Sequence, residues 1–232
     1  MQGPEVAALE AQCKELSALV GELTDEEWDR PSRCDGWTVK ELVAHCEGML
    51  HRLVGANAEE VEGAPEIDRV GYYGYDPDGP REGEDPKKTF SEVIRDRVVD
   101  EVGGRTGEEL RESLDAAIGA ALEGVRKIPA DRVIKRSGHP RMRFDEFVAS
   151  RVLEFGVHSM DLSHATLRGE RIHPDAAEIV KGILDGRLGA ELPKGLGWDT
   201  RTFILSGTGR RRLESNERFA LGPLAAMFPL LA

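Results

Sequence analysis

Apolar residues recur every three or four positions through most of this chain, a spacing that predicts amphipathic helices. Val6, Leu9, Leu16, Leu19, Val20 and Leu23 set a first helix over residues 5–23, with Gly21 weakening its end. Thr24-x-x-Glu27 has the form of a capping box, and Pro31 stops the short helix it would open. A second box, Thr38-x-x-Glu41, precedes Val39, Leu42, Val43, Cys46, Met49, Leu50, Leu53 and Val54, a stripe sustained over four turns. Helix is expected again over 91–102. A further helix starts at Thr106-x-x-Glu109, with Leu110, Leu114, Ala117, Ile118, Ala121, Leu122 and Val125 on its buried face. Residues 132–135 read as extended, residues 137–140 as a turn, and residues 145–166 as another long helix.

Two stretches depart from this pattern. Residues 63–88 are rich in Gly and Pro and carry Tyr72, Tyr73 and Tyr75. So long a break is a functional loop or a surface insertion, and the clustered aromatics favour a packed one. Past Gly169 the character changes. Pro174 suits the first turn of a helix over Pro174–Leu188, and Thr202-Phe203-Ile204-Leu205-Ser206, closed by Gly207-Thr208-Gly209, reads as a strand and tight turn. A last helix is expected near 221–228.

The helix over 145–166 carries a polar seam. Arg151, Glu154, His158 and Asp161 are spaced 3, 4 and 3, which stacks them on one face. Phe147, Val148, Val152, Phe155, Val157 and Met160 leave that helix few directions for a wet side, so the seam is expected to point into a bundle, where each member needs a partner. Glu154 and His158, one turn apart, have the spacing with which a helix grips one metal ion. The plainer alternative is an i,i+4 charge pair. Of the other histidines, His45 is the best third ligand because it lies on the flank of a long amphipathic helix, although it also reads as an ordinary helix histidine. His51, six residues on, faces elsewhere, and His139 and His173 precede prolines in turns.

Composition narrows the classes. The chain of 232 residues is 40% hydrophobic and 32% charged, enough for a core inside a solvated surface. Its 31 basic and 43 acidic side chains give a net charge of −12, which disfavours sequence-independent nucleic-acid binding. Arg210-Arg211-Arg212 is a local exception, read as a solvated strand end or turn. The apolar stretch at 220–232 is broken by Gly222, Pro223 and Pro229 and is too short to span a membrane. The opening Met1-Gln2-Gly3-Pro4-Glu5 lacks a secretory pattern, so a cytoplasmic location is expected. Cys13, Cys34 and Cys46 show no paired spacing and read as reduced thiols: Cys46 in the core, Cys13 in a helix and Cys34 structural in the turn before Trp37.

Two separated segments carry a family resemblance. Cys34-Asp35-Gly36-Trp37-Thr38 through His45, and Arg151-Val152-Leu153-Glu154 through His158 to Asp161-Leu162, resemble the mycothiol-dependent maleylpyruvate isomerase family within the DinB/YfiT-like superfamily. Leu23-Thr24-Asp25-Glu26-Glu27-Trp28 and Pro31-Ser32 look like the family's opening. The resemblance implies a mainly α fold: a DinB/YfiT-like metal-binding four-helix bundle over residues 1–168 and a small C-terminal α/β extension over 169–232. It implies His45, Glu154 and His158 as ligands of a divalent metal. Zinc with an open fourth position suits that set, and nickel or ferrous iron also fits. It implies mycothiol, a small sugar-linked thiol of actinobacteria, as cosubstrate, with a small electrophile as second partner.

On this reading Asp161 and Arg151 are the candidate catalytic residues. Tyr72, Tyr73 and Tyr75 form a candidate lid whose hydroxyls bind the thiol cosubstrate. The reaction is S-transfer or maleylpyruvate-type isomerisation, which need the same activated sulfur. A non-catalytic metal-binding bundle and a hydrolase using metal-bound water, with Asp161 as base, stay open. No nucleic acid or membrane partner is expected, and the chain is read as a monomer or homodimer.

Overall fold

Side-chain caps set the starts of several of the helices. The computed structural model describes residues 3–75, 90–136 and 139–231. At Thr38 the expected box closes in both directions: Thr38 Oγ1 accepts from the Glu41 N–H, and Glu41 Oε2 accepts from the Thr38 N–H at 2.6 Å. Helix α2 (Val39–His51) starts there. Thr106 and Glu109 start α5 (Gly107–Val125) in the same way. The box at Thr24 opens only one 3-10 turn, Asp25–Glu27. Helix α1 (Pro4–Gly21) begins with Pro at its first position, where the missing N–H costs nothing.

Four helices make the bundle: α1, α2, α5 and α6 (Phe144–Ala165), with α1 against α6, α2 against α5, and α1–α5 and α2–α6 closing the ring. Leu9, Leu16, Leu42, Leu50, Leu110, Leu114, Phe147 and Phe155 fill its centre and are fully buried. Short helix α3 (Arg69–Tyr72) and helix α4 (Phe90–Val102) lie outside the ring. A two-stranded antiparallel hairpin, β1 (Val133–Lys135) and β2 (Arg141–Arg143), feeds the chain into α6, with Ile134 opposite Met142 and both buried. Residues 137–138 of the expected turn and 76–88 of the expected loop lie outside the described residues. The start of that loop is regular. Asp68 caps α3 by accepting from Val70 N–H and Gly71 N–H, and Arg69 pins it to Glu146 at 2.7 Å and Glu5 at 2.8 Å.

Helix α6 is buried on nearly every side. One face joins the bundle core, and Leu153, Val157 and Met160 on the other join a second cluster with Val180, Ile183, Leu184, Leu188, Phe203, Ile204 and Leu205. A helix buried all round must be central, and α6 is the shared wall of both clusters. Gln12 ties three helices across this region. Its amide donates to Ser159 Oγ at 2.9 Å and accepts from the His173 N–H at 2.9 Å, so neither end is left unpaired in the core.

The C-terminal extension corrects one expectation. Residues 202–206 form no strand; they lie inside helix α8 (Thr200–Gly207), which follows α7 (Pro174–Leu188). Among the described residues the extension is helical, not α/β, with α9 (Ser215–Leu221) and 3-10 turns at Lys194–Leu196 and Gly222–Met227. The reason is local and tertiary. Asp199 caps the helix by accepting the Thr202 N–H at 2.7 Å. Phe203, Ile204 and Leu205 then bury themselves on α7 and α6, and packing overrides the β-branched preference. The last helix falls at 215–221, earlier than the apolar tail suggested, and the tail itself is 3-10.

Candidate functional site

The predicted seam does face inward, and α2 meets it. Arg151, His158 and Asp161 are buried and Glu154 is half-buried, while His45 looks across from α2. One donor atom each from His45, Glu154 and His158 lies within 4.8 Å of the others. His158 Nε2 is 3.6 Å from Glu154 Oε2. The two imidazoles meet edge to face with centroids 5.2 Å apart, and the Trp37 ring lies 4.8 Å from the His45 ring.

The electrostatics suit a cation. Burial, and then the charge of His158, push the His45 pKa down to about 3, so its ring is neutral with a lone pair to give. His45 Nδ1 is buried without a hydrogen-bond partner, a state that costs free energy unless something else occupies the ring. Burial alone would raise Glu154. The adjacent His158 ring and the charge of Arg151 outweigh it and hold the carboxyl below its usual range. His158 is the counterpart: burial opposes its charge, yet Asp161, Cys34 and Glu154 hold its pKa well above the usual histidine value. The proton retained there sits where a divalent ion would compete for the ring. Two imidazoles and one carboxylate, poised and partly unsatisfied, are a donor set that a divalent transition metal fits.

The neighbouring side chains aim these donors. The Tyr73 hydroxyl lies 2.8 Å from the Ser150 carbonyl and 3.1 Å from Glu154 Oε1 and shares its one proton between them. Burial, then the Glu154 charge, push its pKa well above the usual tyrosine value, so it stays a donor. Arg151 donates from Nη2 to the Tyr72 hydroxyl at 3.1 Å and from Nε to Ser150 Oγ at 3.1 Å, turns Nη1 toward Met49 Sδ at 3.8 Å, and sits 4.0 Å from Glu154. The same Tyr72 oxygen accepts from Arg136 at 2.7 Å. Tyr72 and Tyr73 are therefore at the seam. Tyr75 is not; its ring packs 5.8 Å from His139 and is 38% exposed.

Asp161 has more partners than its helix position suggests. Its Oδ2 accepts from His158 Nδ1 at 3.2 Å, from Arg210 Nη2 at 2.9 Å and from Cys34 Sγ at 3.7 Å, and its Oδ1 accepts from Arg210 Nε at 3.2 Å. Two of these groups depart from what their local sequence implies. Arg210, whose basic triplet implies a solvated strand end or turn, reaches into the site. Cys34, whose turn before Trp37 implies a structural role, lies 4.0 Å from His158 Nδ1. Cys34, His158 and Asp161 form a second group with donor atoms within 4.8 Å of one another. His51, by contrast, is exposed and pairs with Glu47, and His173 caps α7.

Comparison with known proteins adds to this geometry. Residues 9–163 match the family model of the mycothiol maleylpyruvate isomerase N-terminal domain. Among solved structures, the chain resembles the mycothiol-dependent maleylpyruvate isomerase with a TM-score of 0.54 at 14% identity, over 84% of this chain and 72% of that one. A histidine-to-alanine mutant of that isomerase aligns with a TM-score of 0.52 at 13% identity, over 78% of this chain and 68% of that one. At such identity the two likenesses concern the fold. No curated protein sequence matches the chain.

Proposed function

This chain belongs to the family of the mycothiol maleylpyruvate isomerase N-terminal domain, and we propose on that footing that it is an enzyme activating a small external thiol, mycothiol, for attack on an electrophilic carbon. The observation that carries the reading is the convergence of His45, Glu154 and His158, with His45 neutral and its buried Nδ1 unpaired. These three would hold one divalent metal, with zinc favoured by two imidazoles, one carboxylate and room for a fourth ligand. Nickel and ferrous iron accept the same donors. Such an ion supplies Lewis acidity, stabilising a thiolate over its thiol.

The chain's own residues do the rest. Tyr73 fixes the orientation of Glu154 through Oε1. Asp161 holds His158 by Nδ1, which leaves Nε2 directed at the Glu154 side. A carboxylate behind a ligating histidine sets both its tautomer and its aim. Arg151, buried beside Glu154, places a fixed positive charge at the seam and favours an anionic reactant there. Tyr72 holds that guanidinium in place. In isomerisation the thiol adds across a double bond, the carbon–carbon bond rotates, and the carbon–sulfur bond breaks again. In S-transfer the carbon–sulfur bond is kept and a leaving group departs with its electron pair.

A second reading follows from Cys34, whose sulfur lies beside His158 and Asp161: a protein thiol, not an external one, would be the nucleophile. Metal-reconstituted protein should be assayed with maleylpyruvate and with alkylating electrophiles, with and without mycothiol. External-thiol chemistry predicts turnover that requires mycothiol and persists in Cys34→Ser. Turnover without mycothiol that disappears in Cys34→Ser would replace it with the protein-thiol reading.

A further inference from the structure

His158 belongs to two donor groups at once. With His45 and Glu154 it offers Nε2, 3.6 Å from Glu154 Oε2. With Cys34 and Asp161 it offers Nδ1, 3.2 Å from Asp161 Oδ2 and 4.0 Å from Cys34 Sγ. A neutral imidazole has one lone pair and one N–H, so the ring serves one group or the other. The second group contains a thiol, the softer donor, and thiolate competes strongly for zinc and cobalt. Left to donor chemistry alone, the ion would have two homes on this chain.

Arg210 distinguishes them. Its guanidinium takes both oxygens of Asp161, through Nη2 at 2.9 Å and Nε at 3.2 Å, and so occupies the carboxylate that the second group would need. Asp161 is fully buried, so it has no water to exchange for these bonds. The arm is itself fixed. Arg210 Nη1 donates to the Thr208 carbonyl at 2.8 Å, and Gly209 makes the preceding turn with φ +75°, a conformation costly for any other residue. A planar, doubly bonded cation here also repels a second cation at close range.

We propose that Arg210 is a positioning residue that selects the donor set: by claiming Asp161 it keeps His158 Nδ1 hydrogen-bonded and directs the metal to His45, Glu154 and His158 instead of Cys34, Asp161 and His158. This rests on the metal reading above. It makes the C-terminal extension part of the metal centre, although none of its residues is a ligand.

The test is cobalt(II) substitution of the full chain, read by absorption and by chelator competition. Wild type should bind cobalt without a sulfur-to-cobalt charge-transfer band. Arg210→Met should bind it about tenfold or more weakly at the first set and should gain that band, which should vanish in Arg210→Met/Cys34→Ser. Arg210→Lys retains a cation and should keep the wild-type spectrum. If Arg210→Met does not fold by circular dichroism, Arg210→Gln removes the charge with less apolar burial and should gain the same band. A folded neutral variant with no band, whether its affinity falls or not, overturns the selection, as does a band that survives Cys34→Ser. If wild type binds no cobalt, or binds it with a Cys34-dependent band, the metal reading itself fails first.

Discussion

The hydroxyl of Tyr73 lies 3.1 Å from Oε1 of Glu154, on the opposite side of the carboxylate from the oxygen that faces His158. A tyrosine from α3's trailing edge thus controls a residue of α6 that is 81 positions away. Removing that hydroxyl frees the carboxylate to rotate. Tyr73→Phe should weaken metal binding by roughly tenfold to a hundredfold, the usual loss when an outer hydrogen bond to a ligand is removed. Titration against a chelator of known affinity checks this; an unchanged dissociation constant would assign Tyr73 to packing alone.

His45→Ala and His158→Ala should each abolish stoichiometric metal in elemental analysis, because two donors seldom retain a catalytic ion. His51→Ala is the matched control. It removes an exposed imidazole whose partner is Glu47 and should leave metal content as in wild type.

Metal removal should lower the melting temperature without unfolding the chain. An ion held by the proposed ligands would bind the native state and not the unfolded one, contributing about 2.7 kcal/mol at a hundredfold excess over its dissociation constant. The bundle keeps its own core of leucine and phenylalanine. Calorimetry before and after verified chelation should show one transition displaced downward, and identical curves would argue against a site joining α2 to α6.

Acid should loosen the C-terminal extension internally through Glu217, whose partners all lie within it. Its side chain accepts from Arg211 and from Trp198 Nε1 at 2.8 Å, and also caps α9. The Arg211 hydrogen bonds outweigh burial and hold its pKa at about 2, down from the ordinary 4.5. The folded state therefore binds this proton less readily than the unfolded one. The stabilisation is complete above about 4.5 and is lost as pH falls toward about 2. Glu217→Gln should cost about 1–3 kcal/mol at neutral pH, the usual loss for a buried charged hydrogen bond. It should also flatten the acid limb of a Trp198 fluorescence titration over that window. An acid limb as steep as that of wild type would move the linkage to another carboxylate.

What could be read from sequence was what lies along one helix. The 3, 4, 3 seam of α6 was legible because helical geometry alone stacks Arg151, Glu154, His158 and Asp161. The boxes at Thr38 and Thr106 were legible because each is a contact over three residues. Arg210 was not, because its partner lies 49 positions away and nothing local separates it from Arg212, which is exposed. Cys34 reaches Asp161 across 127 positions. The helical state of α8 is not legible locally, because a short β-branched run weighs the same in either state until its cap and its neighbours are known. Asp199 was the available signal.

Helix α6 gives one face to each apolar cluster, and this bears on how the protein can be shortened. A chain ending at residue 168 would keep every bundle helix, yet Leu153, Val157 and Met160 would become a sticky outer surface. Gln12 would lose the His173 partner of its carbonyl, and Asp161 would be left as a buried charge without its guanidinium. Such a product should be recovered in inclusion bodies or bound to chaperones, and not as a smaller soluble enzyme. For this chain the segment after residue 168 works as a fifth wall of the bundle, and any variant made for crystallisation or directed evolution should carry it intact.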